Sequence, residues 1–342
     1  MIFEGRILRG RSFEPVEGRV IVEEGEIAGI EETETDSEGI ILPAFVNAHT
    51  HIGDSIAKEA GEGLSLAELV APPDGLKHRL LDAAERSELI AGMEQSISYM
   101  ESAGTAAFVE FREGGVDGVT AIREALSGHD IDSVVLGRET EDAMLESDGF
   151  GASGANDATF DRLRKATAEA EKLFGIHAGE VDSSDINPAL DLDPDFLVHM
   201  THPEPLHLER LADSQIPVVA CPRSNITTNV GMPPIRELLD RTTVGLGTDN
   251  VFLNSPSMFR EMAFTAKLFD VSTREVLQMA TINGAEIAGL NCGLVEDGRD
   301  GALLVLDGES ANLTGAEDIA RAVVRRAGVD DVERVVYPAD SR

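Results

Sequence analysis

Ile40-Ile41-Leu42-Pro43-Ala44-Phe45-Val46-Asn47-Ala48-His49-Thr50-His51 is the stretch whose reading decides the fold. An apolar run of this kind reads as a buried strand. Side chains alternate along a strand, so His49 and His51 face the same way at its end. On a helix, residues two apart diverge. Two imidazoles on one face at a strand end form a preformed pair of metal ligands. An isolated His-x-His is more often incidental, so the reading depends on finding His and Asp at other strand ends.

Outward from this run, the middle of the chain alternates between strand-like and helix-like segments. Strands are expected over 40–48, 105–111, 133–137, 174–177, 196–199, 218–221 and 244–247, with a weak one near 149–153. Helical patterns over 87–102, 120–126, 158–173, 206–212 and 235–240 lie between many of them. Strands alternating with helices indicate a parallel sheet. Seven or eight such units fit an α/β fold of the (β/α)₈ TIM-like barrel type better than an open sheet. Short strand-like segments at 2–8, 19–23 and 26–30, and a matching one at 301–307, flank this middle. They suggest a small β-sandwich-like domain built from both termini. The expected division is 1–40 and 291–342 for the small domain and tail, and 41–290 for the barrel.

Composition narrows the classes. The 342 residues are 42% hydrophobic, enough for one large core plus a satellite domain. No apolar stretch is long enough to span a membrane, and the N-terminus lacks a signal-peptide pattern. Cys221 and Cys292 form no motif, which points to a cytoplasmic protein without structural disulfides. The net charge is −35, with 5 Lys against 23 Arg. Such a field repels nucleic acid and anionic membranes. The acidic excess with few lysines resembles proteins of salt-accumulating halophiles, where salt screens self-repulsion. The charge therefore reports on the solvent and not on the substrate. A small-molecule substrate is expected, and a homo-oligomer is left open.

In a (β/α)₈ barrel, chemistry sits at the C-terminal strand ends. Those ends carry His49 and His51, then His177-Ala178-Gly179-Glu180, then His199-Met200-Thr201-His202, and last Gly247-Thr248-Asp249-Asn250. His49, His51, His177 and Asp249 make a chemically sensible set for Zn²⁺, and also for Fe²⁺. Asp249 can also accept a proton from water. Glu180, three residues past His177, is placed to shuttle protons to a leaving group. His199 is placed to hydrogen-bond the attacking water. His199 and His202 are alternatives for the side chain facing the pocket; His199 is preferred because it directly ends its strand.

These residues resemble the amidohydrolase superfamily, in its deaminase and chlorohydrolase branch. The resemblance rests on the segments 43–51, His177-Ala178-Gly179-Glu180, His199, Cys221-Pro222-Arg223-Ser224-Asn225, Leu246-Gly247-Thr248-Asp249 and Asn283-Gly284-Ala285. It covers nearly the whole chain. It implies metal ligation by His49, His51, His177 and Asp249, a proton-shuttling Glu180 and a polarising His199. No lysine or glutamate stands at the weak strand near Phe150, where two-metal relatives place a bridging ligand. One divalent ion is therefore expected, Zn²⁺ first and Fe²⁺ second. The implied reaction is hydrolysis of a carbon–nitrogen bond that is not a peptide bond. The best fit is deamination of an aminated heterocycle such as a purine or pyrimidine base or nucleoside. Hydrolysis of a ring amide or a halogenated ring is the alternative, and an inactive metal-binding homologue the second. The Pro-Cys-x-x-Cys signature of the other zinc deaminases is absent, since Cys221-Pro222 lacks a second cysteine.

Arg112, Arg138, Arg223 and His78 are candidate substrate contacts. Arginines at strand ends suit a carboxylate or an oxo group. Glu113, Glu139, Asn225, Asn250 and Asn254 stand beside them. The rival reading for the arginines is structural ion pairing in an acid-rich chain. For His78, in a loop over 72–78 that would cover the barrel mouth, the rival is a solvated histidine. His129 and His207 lie on polar stretches and are expected on the surface.

Overall fold

Pro43 is where the decisive run changes sheets. The structure, a computed structural model, describes residues 1–70 and 74–338. The chain opens with β1 (Ile2–Arg9), β2 (Glu14–Glu23) and β3 (Glu26–Glu32). The run expected as one strand is then two, β4 (Ile40–Pro43) and β5 (Phe45–His51). Ile40 and Ile41 pair in parallel with β1, whereas Phe45 onward pairs in parallel with β6 (Thr105–Arg112). Proline has no N–H to donate and suits the point where a ladder ends. Both halves are wholly buried, so the apolar pattern carries no sign of the break.

The remaining strands are β7 (Asp132–Gly137), β8 (Gly149–Ala152), β9 (Leu173–Ala178), β10 (Phe196–His199), β11 (Val218–Ala220), β12 (Val244–Leu246), β13 (Asp249–Asn250), β14 (Leu303–Leu306) and β15 (Val332–Val336). One sheet runs β12-β11-β10-β9-β8-β7-β6-β5-β13, and all its pairings are parallel. The architecture is mixed α/β, consistent with a TIM-like fold. The Val244–Asn250 run pairs at its start with β11 and at its end with β5, so the last segment returns to the first strand. Gly247 permits that crossing: a Cβ there would lie 2.7 Å from His49 Cβ and 2.9 Å from its backbone.

The other sheet has the order β15-β14-β4-β1-β2-β3. The termini thus form one six-stranded sheet, which fits in part the small β-sandwich-like domain expected from both ends of the chain. Strand β4 belongs to it, and β15 was not foreseen.

Helices cover the parallel sheet. Helix Arg86–Ser102 begins with a capping box between Glu85 and Glu88. Its apolar residues Ile90, Met93, Ile97 and Met100 recur at helical spacing and are buried. Burying each such side chain stabilises by about 1.5–3 kcal/mol. Inside the sheet, Val109, Phe111, Phe196, Val198 and Val219 form a core beneath the strand ends. Between β5 and β6 the chain makes an excursion through Ile52–Ala57, Leu66–Val70 and Leu76–Ala83. The expected 72–78 loop lies partly outside the described residues, which omit 71–73. Where described, Lys77 and His78 sit on the helix Leu76–Ala83, where Leu76 and Leu80, four apart, pack on one face. Among the described residues, no helix is long and apolar enough to cross a membrane.

Candidate active site

The strand ends converge. His49 and His51 leave β5, His177 leaves β9, His199 ends β10, and Asp249 follows the Gly247-Thr248 break. Ligand atoms of His49, His51 and His177 lie within 4.8 Å of one another, as do those of Glu180, His199 and Asp249. Nε2 of His49 and of His51 approach the same Asp249 Oδ1, at 3.4 and 3.7 Å. Phe111 forms the floor, its ring 4.6 Å from that of His49 and 5.1 Å from that of His177. Thr50, between the two histidines, points the other way and donates to Val109 O and Glu110 Oε2. The alternation read from the sequence thus holds through this strand end. His199 (φ 76°) and Asp249 (φ 58°) are both left-handed, uncommon for residues with a Cβ and typical of functional sites.

The hydrogen bonds fix which nitrogens are free. His177 Nδ1 faces Ala152 O at 2.8 Å, and His51 Nδ1 faces Phe111 O at 3.1 Å and Glu113 Oε1 at 3.0 Å. Only acceptors stand there, so Nδ1 carries the proton and Nε2 keeps its lone pair. Both nitrogens of His49 are buried without a hydrogen-bond partner. A buried unpaired polar atom costs about 1–3 kcal/mol, so this ring is placed for something else.

Burial drives the titration of this cluster. It pushes His49 below its usual value, against the pull of Asp249. His51 falls to about 3 through burial and the Lys77 charge, and His177 falls well below its usual value through burial and its neighbouring imidazoles. Burial also raises Asp249, but the His49 imidazole, with Nε2 3.4 Å away, and the charge of His199 outweigh it and hold the carboxyl well below the usual range. Burial raises Glu180, opposed by His199. Three neutral imidazoles facing one ionised carboxylate are the donor set a divalent ion requires.

Opposite them stand Glu180 and His199. His199 Nε2 is 3.6 Å from Glu180 Oε2. Asn225 Nδ2 donates to His199 Nδ1 at 3.1 Å, so the His199 proton is on Nε2. Ser224 Oγ donates to Asp249 Oδ2 at 2.5 Å. His202 instead has Nε2 2.6 Å from Val230 O and faces a separate surface depression.

These groups line a cavity of about 230 Å³. Leu66, Ala67, Val70 and Val181 give it an apolar wall; Lys77, His78, Arg138 and Asn250 give it a polar one. Of the four expected substrate contacts, Arg138 and His78 reach this cavity, with His78 Nε2 also 3.1 Å from Val70 O. Arg112 and Arg223 do not line it among the described residues. Arg112 lies beneath, 3.8 Å from Glu110 and packed where a Cβ on Gly53 would collide with its guanidinium. Arg223 donates through its backbone N and Nε to Glu261 and through Nη2 to Ser255 O. Arg223 is thus closed into a pair with Glu261, while Arg112 Nε and Nη1 are buried without a hydrogen-bond partner. His207, expected on the surface, is 4% exposed and closes a capping box by accepting from Glu204 N.

Glu113, named from the sequence only beside the candidate substrate contacts, instead stands against His51, with Lys77 as a partner that sequence reasoning missed. Glu113 Oε1 lies 2.7 Å from Lys77 Nζ and 3.0 Å from Arg138 Nη1. Burial raises Glu113, but the Lys77 and His51 interactions hold it well below the usual range. An acidic residue directly after a strand was the available signal. Nothing local marks Lys77 as its partner.

Residues 162–336 match the amidohydrolase family. An uncharacterized protein of Methanocaldococcus jannaschii is 38% identical over 360 residues, covering 95% of this chain and 95% of its own. The 5-methylthioadenosine/S-adenosylhomocysteine deaminase of Haloarcula marismortui is 26% identical over 351 residues, covering 88% of this chain and 80% of its own. Among solved structures, the zinc complex of atrazine chlorohydrolase from Arthrobacter aurescens TC1 has the same fold, with TM-score 0.83 and 16% identity over 98% of this chain and 94% of that one. Strand ends, chain coverage and family match agree: this chain belongs to the amidohydrolase family and is a hydrolase.

Proposed function

We propose that the protein hydrolyses a carbon–nitrogen bond by deaminating an aminated heterocycle, a purine or pyrimidine base or its nucleoside. The observation that carries this is the pairing of two half-sites across one small cavity. One half is His49, His51, His177 and Asp249, with the unpartnered nitrogens of His49 at its centre. The other is Glu180 and His199. The first half fits one divalent ion, Zn²⁺ before Fe²⁺, by its nitrogen and oxygen donors. When bound, the ion supplies Lewis acidity and an activated water.

The remaining steps belong to the side chains. Asp249, held ionised, accepts the proton that the attacking water loses. His199 donates from Nε2 to the oxygen as it adds to the ring carbon. Glu180, raised by burial, is placed to carry a proton to the ring nitrogen. Asp249 then passes the water proton to the amine, which leaves as ammonia, and the proton of the added hydroxyl returns to Glu180 as the ring carbon becomes a carbonyl. The apolar wall of Leu66, Val70 and Val181 takes the ring face, and His78 and Asn250 read its edge. The deaminase name of the Haloarcula relative supports this choice over a chlorohydrolase, whose likeness rests on fold.

The scaffold under this reading is a (β/α)₈ barrel, counting β12 and β13 as one interrupted strand. The small domain takes residues 1–43 and the chain beyond about 291, moving the first boundary from 40 to Pro43 because β4 pairs with β1 and β14.

The test is ammonia release from a panel of aminated bases and nucleosides, at high salt with added Zn²⁺ or Fe²⁺. Turnover of at least one, abolished by chelator and restored by the ion, is expected. Protein that holds no stoichiometric metal and stays fully active in chelator overturns the metal reading. Chloride release in place of ammonia overturns the substrate class.

A further inference from the structure

We propose that Glu113 is a positioning residue for His51, and that Lys77 bolts it through Asn250 to Asp249 on the far side of the site. The inference rests on the reading of His51 and Asp249 as metal ligands. Its observation is a closed path of buried polar contacts around the outside of that pair. Glu113 Oε1 lies 3.0 Å from His51 Nδ1 and 2.7 Å from Lys77 Nζ. Lys77 Nζ donates to Asn250 Oδ1 at 2.9 Å, and Asn250 Nδ2 donates to Asp249 Oδ1 at 2.9 Å. His51 Nε2 faces that same Oδ1 at 3.7 Å, which closes the path. Each of the five residues is at most 6% exposed.

The path has a chemical direction. A carboxylate accepting from His51 Nδ1 fixes the tautomer and ring plane, and makes Nε2 a better donor. Arg138 Nη1, 3.0 Å from the same Oε1, holds the carboxylate from a third side. Lys77 and Arg138 face the cavity, yet both charges converge on this one oxygen. They therefore serve the carboxylate and do not form an anion receptor for substrate. Lys77 rides on the helix Leu76–Ala83 of the excursion between β5 and β6. The segment that walls the cavity is thereby tied to both edges of the ligand cluster.

The test compares full-length wild type with Glu113→Gln, Lys77→Met and the double variant. Zn²⁺ affinity is read by competition with a chromophoric chelator, and the ligand field by the visible bands of the Co²⁺-loaded protein. Glu113→Gln weakens Zn²⁺ about 10–100-fold and shifts the Co²⁺ bands. Lys77→Met weakens Zn²⁺ less. The double variant loses less than the product of the two single losses, because Lys77 acts largely through Glu113. If Glu113→Gln does not fold, Glu113→Asp replaces it, with a smaller loss and the same band shift expected. Wild-type affinity and an unshifted spectrum in the Glu113 variant overturn the proposal, as does a purely multiplicative double variant. A higher KM with unchanged Zn²⁺ affinity also overturns it and assigns the group to substrate. Wild type that holds no ion sinks the metal reading itself, a result distinct from all of these.

Discussion

Glu113 after β6 and Glu261 on the helix Met258–Leu268 are both buried carboxylates held by strand-end arginines, and they have opposite roles. Glu261 is 0% exposed and both its oxygens accept from Arg223, one from the backbone N and one from Nε. That pair is closed and stands away from the cavity. Glu113 receives three donors on Oε1 while its buried Oε2 has no hydrogen-bond partner. That group is open, unevenly loaded and set in the cavity wall. A closed pair holds two elements together; a carboxylate loaded on one oxygen beside His51 is the arrangement from which its positioning role is proposed. The difference lies in what each oxygen meets, not in residue type.

Four variants break or sharpen this contrast. The largest effect is expected in the cavity sector, from Glu180→Gln, which removes the proposed proton carrier and retains the proposed metal donors. Turnover should fall about 10²–10⁴-fold with Zn²⁺ content unchanged; undiminished ammonia release would remove Glu180 from the chemistry. Next is Arg223→Met, which leaves Glu261 as an unpaired buried charge. Unfolding free energy should drop by about 3–5 kcal/mol in a urea titration, while Zn²⁺ affinity of the folded protein stays the same. A large loss of metal with little loss of stability would reverse the contrast.

The third concerns Glu110, under the same wall. Burial raises it from 4.5 to about 7, opposed by Arg112. A raised carboxyl favours the folded state while protonated, so that contribution is present below about pH 4.5 and is lost as pH rises through about 7. Metal-free Glu110→Gln should therefore gain up to about 3 kcal/mol over wild type at pH 8 and nothing at pH 4. Parallel stability curves for the two proteins would refute the shift. The smallest effect is expected from Val181→Ser, where the side chain is 65% exposed on the cavity rim. KM should move about twofold with stability within about 0.5 kcal/mol; a large change in either would make this wall part of the core of the site.

The legible parts of the molecule were the periodic ones. Strands β5, β6, β7, β9 and β10 announce themselves as apolar runs ending in polar residues, because parallel strands are buried on both faces. The same property hid the break at Pro43, where one uninterrupted apolar run serves two sheets. The six residues of the paired half-sites were readable because each ends or directly follows a strand. The Glu113–Lys77 contact was not, since the partners lie 36 positions apart and Lys77 comes from an excursion of no clear pattern. The arginines were undecidable in sequence: Arg112, Arg138 and Arg223 all follow strand ends, yet only Arg138 reaches the cavity.

By itself the sequence determined that alternating strands and helices would carry His49, His51, His177, Glu180, His199 and Asp249 at one end of a parallel sheet. Period and spacing are local properties of the chain, so a reading of residues suffices for them. Only the tertiary structure decided which nitrogens keep their lone pairs, which arginines are closed into pairs, and that Lys77 joins both edges of the cluster. Those outcomes depend on distances between groups far apart in sequence and on burial, which sets both the price of an unpaired atom and the charge of each carboxyl.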